Sequence, residues 1–189
     1  MTRLKTITIC FVFLFTLLSG NSFAQDLLQN NKFTYAPLFD NQVVLMKEIS
    51  LNNADPNKSF QIVKEWGKER YASDPLISNI RYDNTNKEII VKSKIELLLP
   101  ENENKVREKV IMTYHLNTFI LNGKCVFEVK GITYKLHNTK KSVKAEDTIT
   151  QSALASGPQQ ELRINIQRST FYFLNELADS LETALKSGI

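Results

Sequence analysis

The chain has 189 residues, with 24 Lys+Arg against 20 Asp+Glu, two His, two Cys and six Gly. That length suits one domain with a real core, and 42% apolar with 23% charged residues excludes wholesale disorder and a multispanning membrane protein. So few glycines and histidines leave little room for Gly-rich nucleotide loops or His-rich metal sites.

The N-terminus carries Arg3 and Lys5, then an apolar run from Ile7 to Leu18 that Ser19-Gly20-Asn21 breaks. Ser22 and Ala24 place small residues at −3 and −1 before Gln25. The run is too short for a membrane span, which needs roughly 18 or more apolar residues. Residues 1–24 are therefore expected to be a cleaved secretory signal peptide. The protein is then exported, periplasmic or secreted, and not an integral membrane protein after cleavage. Cys10 lies inside the run rather than at its end, against lipid anchoring. Cleavage would remove Arg3, Lys5 and Cys10 but no acid, lowering the net charge from +4 to +2. Cys125 would then have no cysteine partner within the chain, so stability must come from packing.

Residues 25–41 read as an extended N-terminal arm, with Pro37 against a helix. Gln42–Ile49 is rich in β-branched and apolar residues and is expected to be a strand. Asp55-Pro56 pairs an N-cap acid with proline at the first helical position. Phe60, Val63, Trp66, Gly67 and Tyr71 follow on one helical face, and Ser73-Asp74-Pro75 ends the helix.

From Ile77 the apolar period becomes two. Ile80 and Tyr82 form one strand, and Asn84-Thr85-Asn86 turns the chain. Ile89, Val91, Ile95 and Leu97 form the next strand, closed by the turn at 100–104. Val106 to Leu116 alternate again, and Asn122-Gly123 is a hairpin signal. A two-residue loop there pairs Leu121 with Lys124, Ile120 with Cys125, Thr118 with Phe127 and Leu116 with Val129. Beyond Lys130-Gly131 the apolar parity switches to Ile132, Tyr134 and Leu136. One extra residue restores the register, predicting a β-bulge at Gly131 that sets Ile132, Tyr134 and Leu136 opposite Tyr114, Met112 and Val110.

Residues 138–168 are expected to be a polar loop, with a brief alternation at Leu162, Ile164 and Ile166. Ser169 is expected to cap a final helix, 169–187, whose stripe is Phe171, Leu174, Ala178, Leu181 and Leu185. Glu176, Asp179 and Glu182 are read as its solvated flank.

The order strand, helix, four antiparallel strands, helix predicts an α+β fold: a curved antiparallel sheet with two helices packed on one face. Residues 42–137 hold the sheet and first helix, and the last helix completes the domain. The features that carry a family resemblance are strand Gln42–Ile49, helix segment Phe60-Gln61-Ile62-Val63-Lys64-Glu65-Trp66, the lysine-bearing strand Glu88–Leu99 and the pair ending Gly131-Ile132-Thr133-Tyr134. In these the chain resembles the exported bacterial family of the domain of unknown function DUF4468, with TBP-like fold. The resemblance implies the fold β-α-β-β-β-β-α; it implies no activity, cofactor or catalytic residue.

The common enzyme and nucleotide-loop motifs are missing from the sequence. His115 and His137 are separated by the hairpin register, by roughly 20 Å at 3.3 Å per residue, too far to share a metal. His115 is read as a solvent-facing sheet residue. Cys125 is read as a buried apolar side chain. No catalytic, metal or cofactor site is therefore expected, and the protein is read as a non-enzyme. The remaining feature is the sheet face away from the helices. Its candidate partner-binding residues are Lys92, Lys94, Arg107, Lys109, Lys130 and Lys135, joined by Arg81, against the acids Asp83, Glu88, Glu96 and Glu128. Ile90, Ile111, Val126 and Phe119 lie among them. The N-terminal arm or the long loop would cover this face, its charges would simply keep the sheet soluble, or it would bind an envelope protein, glycan or lipid. A binding module of the cell envelope is the expected function; a carrier holding an apolar ligand between the sheet and last helix is the alternative. A mature charge of +2 and export argue against nucleic acid as a partner.

Overall fold

The computed structural model describes residues 32–52, 54–101, 105–121, 123–136, 139–157 and 159–188. The expected signal peptide, the start of the arm and His137 lie outside these residues. No described helix is long and apolar enough to cross a membrane.

The first helix begins where the capping chemistry places it. Asp55 Oδ1 accepts from Asn57 N at 2.8 Å, Pro56 opens the helix, and α1 spans Pro56–Tyr71. Before it come β1 (Leu38–Phe39) and β2 (Gln42–Ser50); after it come β3 (Ser78–Asp83), β4 (Glu88–Glu101), β5 (Arg107–Leu121) and β6 (Lys124–Leu136). The short β7 (Val143–Lys144) pairs with β6. The antiparallel sheet runs in the order β1-β2-β6-β5-β4-β3. The expected arm thus ends in a strand: Phe39 pairs with Gln42 around Asp40-Asn41, both at positive φ. Asx residues tolerate that conformation, which makes a two-residue hairpin turn.

The β5–β6 hairpin has the predicted register on both sides of the bulge. Leu121 pairs with Lys124 and His115 with Lys130; past the shift Met112 pairs with Tyr134 and Val110 with Leu136. Gly131 sits at φ +62, and a Cβ there would lie 3.2 Å from the His115 ring. The bulge also divides β6 by partner. Residues up to Lys130 pair with β2, whereas Thr133 and Tyr134 pair with β7.

One sheet face is apolar and carries both long helices. Val91, Met112, Tyr114, Phe127, Val129 and Tyr134 are buried on it. Gly67 lets α1 approach, since a Cβ there would meet Ile80 and Ile89 side chains at 2.9 Å. The core also places its hydroxyls. Tyr71 and Tyr114 share a bond at 3.2 Å, Ser78 and Ser93 one at 2.8 Å, and Tyr134 and Thr170 one at 2.9 Å.

The C-terminal region departs from the expected loop and short helix. Residues 145–147 form a 3-10 turn, Gln151–Leu154 form α2, and α3 runs Gln160–Gly188, nine residues ahead of Ser169. Leu162 and Ile166 are four apart and continue the stripe through Thr170, Leu174 and Ala178, so the brief alternation belongs to a helix. Ser169 is not a cap: its hydroxyl donates to Leu98 O at 3.1 Å. Helix α3 binds α1 through Trp66 Nε1, which donates to Ser180 Oγ at 3.1 Å.

Nor is the acidic flank of α3 merely solvated. Lys47 lies on the apolar face of β2 and is only 7% exposed; its ammonium reaches Asp179 at 2.8 Å and Glu182 at 2.9 Å. Burial alone would lower the Lys47 pKa, but hydrogen bonds and charge from the two acids outweigh it, and the net shift is upward. Glu182 also takes Lys186 at 2.6 Å, and these two cations hold its pKa below the ordinary carboxylate value.

Two expectations follow. Gly131→Ala should lower the unfolding free energy by about 1–2 kcal/mol in urea melts, because a Cβ disfavours the left-handed region. Asp179→Asn with Glu182→Gln should destabilise by about 3 kcal/mol, since it strands a buried ammonium; Lys47→Met should cost less, because water reaches the acids it leaves. The same clasp sets a pH window. Its carboxylate contribution is lost as pH falls through the lowered Glu182 pKa, and its lysine contribution as pH rises through the raised Lys47 pKa. Thermal melts should therefore show it at full strength from about pH 5 to 10.

Candidate functional site

Strand alternation sends the residues between the core positions to the other sheet face. The register there aligns Lys92 with His115 and His115 with Lys130 across β4, β5 and β6. Adjacent strands lie about 4.8 Å apart, so the row spans about 10 Å. The next row is Lys94, Thr113 and Thr133; the one beyond holds Glu96, Ile111 and Lys135. His115 was read from sequence as an ordinary sheet residue. The two registers make it the centre of a basic row, its ring lying against the Gly131 bulge.

The six candidate residues all reach this face, but they are not equivalent. Lys109 is held by Glu96 at 2.6 Å, Lys130 by Glu128 at 2.6 Å and Arg107 by Glu101 at 3.1 Å. Lys124 and Glu48 add a pair at 2.6 Å that sequence reasoning did not place. The seven-to-four excess of bases is therefore narrower once Lys124, Glu48 and Glu101 join the face. Lys92, Lys94 and Lys135 are exposed and form no ion pair with any described residue. The free charge is concentrated in the middle of β4 and the end of β6. Acids Glu48, Asp83, Glu88 and Glu128 lie toward the opposite end, around buried Val126 and half-buried Phe119.

Where they are described, both expected covers are anchored on the helix side instead. Phe33 stacks on Phe127 with ring centroids 6.3 Å apart, and its backbone N–H and C=O pair with Asn175 of α3. Ala145 and Ile149 are buried in the core, and Glu146 Oε1 accepts from Val43 N at 2.7 Å. Beside the bulge, Gly131 and Thr133 line an open cleft of about 390 Å³ with Asn41, Gln42, Lys144 and Glu146.

Residues 46–135 match the family model of a domain of unknown function with TBP-like fold. Over that segment the chain is similar to the DUF4468 family. A TBP-like protein from Parabacteroides distasonis superposes with a TM-score of 0.68 at 25% identity, over 80% of this chain and 97% of that one. A DUF4468 family protein from Bacteroides ovatus gives 0.69 at 18% identity, over 85% and 94%. Both superpositions extend well beyond the segment that the family model matches. No curated protein matches the chain. The α+β, TBP-like architecture expected from the element order is thus the observed one. The DUF4468 match itself assigns no activity.

Cys125 lies opposite Ile120 at the far end of the β5–β6 hairpin, fully buried, and burial pushes its thiol pKa up to about 12. A thiol at that pKa is almost wholly protonated at neutral pH and is a poor nucleophile. Alkylation by iodoacetamide at pH 8 should be negligible in the folded protein and complete in guanidinium, as read by intact mass.

Proposed function

We propose that this protein is a non-enzymatic binding module of the bacterial cell envelope. Its open sheet face would engage an acidic surface of a partner protein. The observation that carries this reading is the row Lys92–His115–Lys130, with Lys94 and Lys135 beside it, on a face away from the side where the described residues of the arm and loop are anchored. The support for an envelope address is the sequence of residues 1–24: a basic start, a short apolar run and small residues before Gln25. A protein partner suits this face better than a bare polyanion, because half-buried Ile90, Ile111 and Phe119 lie among the charges. The apolar side chains offer area that a protein partner can bury, and the charges around them steer encounter.

The test is cross-linking mass spectrometry in intact cells, with wild type beside a Lys92→Glu, Lys94→Glu, Lys135→Glu variant. These three lysines break no ion pair when changed, so the melting temperature should move little. Wild-type cross-links through this face should be lost in the variant, and wild-type binding should weaken as salt rises. Cross-links that persist in the variant overturn the reading. Binding of the purified protein to anionic phospholipid vesicles or an acidic glycan, with no protein cross-link in cells, also replaces it.

A further inference from the structure

The sheet edge at β3 has a step. Strand β3 pairs with β4 only from Glu88 to Ser93, whereas β4 continues to Glu101. Successive residues of a strand aim their backbone polar groups at opposite edges. Lys94 N–H donates to Ile77 O at 3.0 Å, on the β3 side, so Glu96 and Leu98 aim their groups to that side as well. There β3 has not yet begun. Ile77 N–H turns away to Asp74 O at 3.1 Å, which leaves Lys94 O open. Ser169 of α3 takes Leu98 O. Four groups remain facing the step: the carbonyls of Lys94 and Glu96 and the N–H groups of Glu96 and Leu98.

Exposed apolar side chains frame the same step. Leu76 is 92% exposed and Ile77 48%, at the entry to β3; Leu98 is 49% exposed on β4 itself. Tyr172, 71% exposed, lies on the helical stripe of α3 that carries Arg168 and Ser169, and Ser169 touches this edge. The cations here are Lys94, Arg168 and Arg70, all exposed, and Arg70 lies near enough to influence the Tyr71 and Tyr114 hydroxyls; against them stands Asp74, whose Oδ1 accepts from Leu76 N at 2.9 Å. Glu96 is already held by Lys109. A row of open backbone groups flanked by exposed apolar side chains can template strand pairing, and the positive charge, Pro100 and the bulge after Leu98, devices that usually blunt an edge, restrict this one to a short segment of opposite charge.

We infer that this step is a strand-addition site for an extended peptide segment of a partner, with alternating apolar residues and acidic flanks. It uses the backbone edge of β4 rather than the open sheet face, shares Lys94 with that face, and does not depend on the reading given for it. The segment lies antiparallel to β4, in line with β3. Its central residue exchanges two hydrogen bonds with Glu96, and the residue two positions before it accepts from Leu98 N–H, while Ile77 itself fills the place opposite Lys94. Side chains on one side of the segment meet Ile77 and Leu98; those on the other meet half-buried Ile95 and Tyr172. Pro100, which has no N–H, closes the next outward position and limits the site to a short segment.

The test uses the full chain and a fluorescent peptide, Glu-Val-Thr-Val-Thr-Val-Glu, with a lysine-flanked version as control. In the free protein the Glu96 and Leu98 amides should exchange rapidly by NMR. Saturating acidic peptide should slow both, and the lysine-flanked peptide should bind more weakly. Glu96→Pro removes an outward N–H and no bond to β5, so it should weaken peptide binding by about tenfold or more, whereas Glu96→Gln should not. If Glu96→Pro fails to fold, amide exchange in the wild type still decides. Slow exchange at both positions without peptide, or fast exchange that peptide leaves unchanged, overturns the inference. So does protection that appears with rising protein concentration alone, because a second copy would then fill the step.

Discussion

A single positive φ at Gly131 organises the sheet. Without the extra residue there, either Cys125, Phe127 and Val129 or Ile132, Tyr134 and Leu136 would point to solvent. With it, both sets face the helices. The same residue marks the point where β6 changes partner, from β2 to β7. The ring of His115 lies against the space that a side chain would fill. The bulge thus joins the two faces of the sheet: on one it keeps the core continuous, and on the other it seats the centre of the basic row.

The two faces obey different rules. On the helix side the Ser59 and Thr118 hydroxyls are buried without a partner among the described residues, but the ammonium of Lys47, which water scarcely reaches, is held by two carboxylates. Buried charge of this kind adds little net stability but makes any other docking of α3 unfavourable, since a shifted helix would leave Lys47 unpaired. On the far side, Lys92, Lys94 and Lys135 have no described acid to neutralise them, and their screening is left to solvent. Charge there is free to act on a partner.

The sheet was legible from the chain because its signals are local and periodic. Asn122-Gly123 anchors one register, and the parity switch at Lys130-Gly131 locates the bulge without any tertiary information. The last helix was harder. Gln160, Glu161, Arg163, Asn165 and Gln167 make its first turns read as polar, and an apolar pair spaced by two suits a strand as well as a helix. Only packing against the sheet decides between them. The Lys47 clasp joins residues more than 130 positions apart, and no local pattern reports it. The candidate face was legible as a set of side chains but not as a site. The chain shows which lysines point outward; ion pairing, which separates Lys92 from Lys109, is a property of the assembled sheet.

Helix α3 comes last in the chain, yet it closes a core begun at β2. A polypeptide without α3 would have every strand and α1 but an uncovered apolar trough, with a bare ammonium in its floor. Such a chain has no cheap compact state: collapse buries an unmatched charge, and staying open exposes the trough to aggregation. The most costly side chain of an early strand is therefore left unmatched until α3 docks.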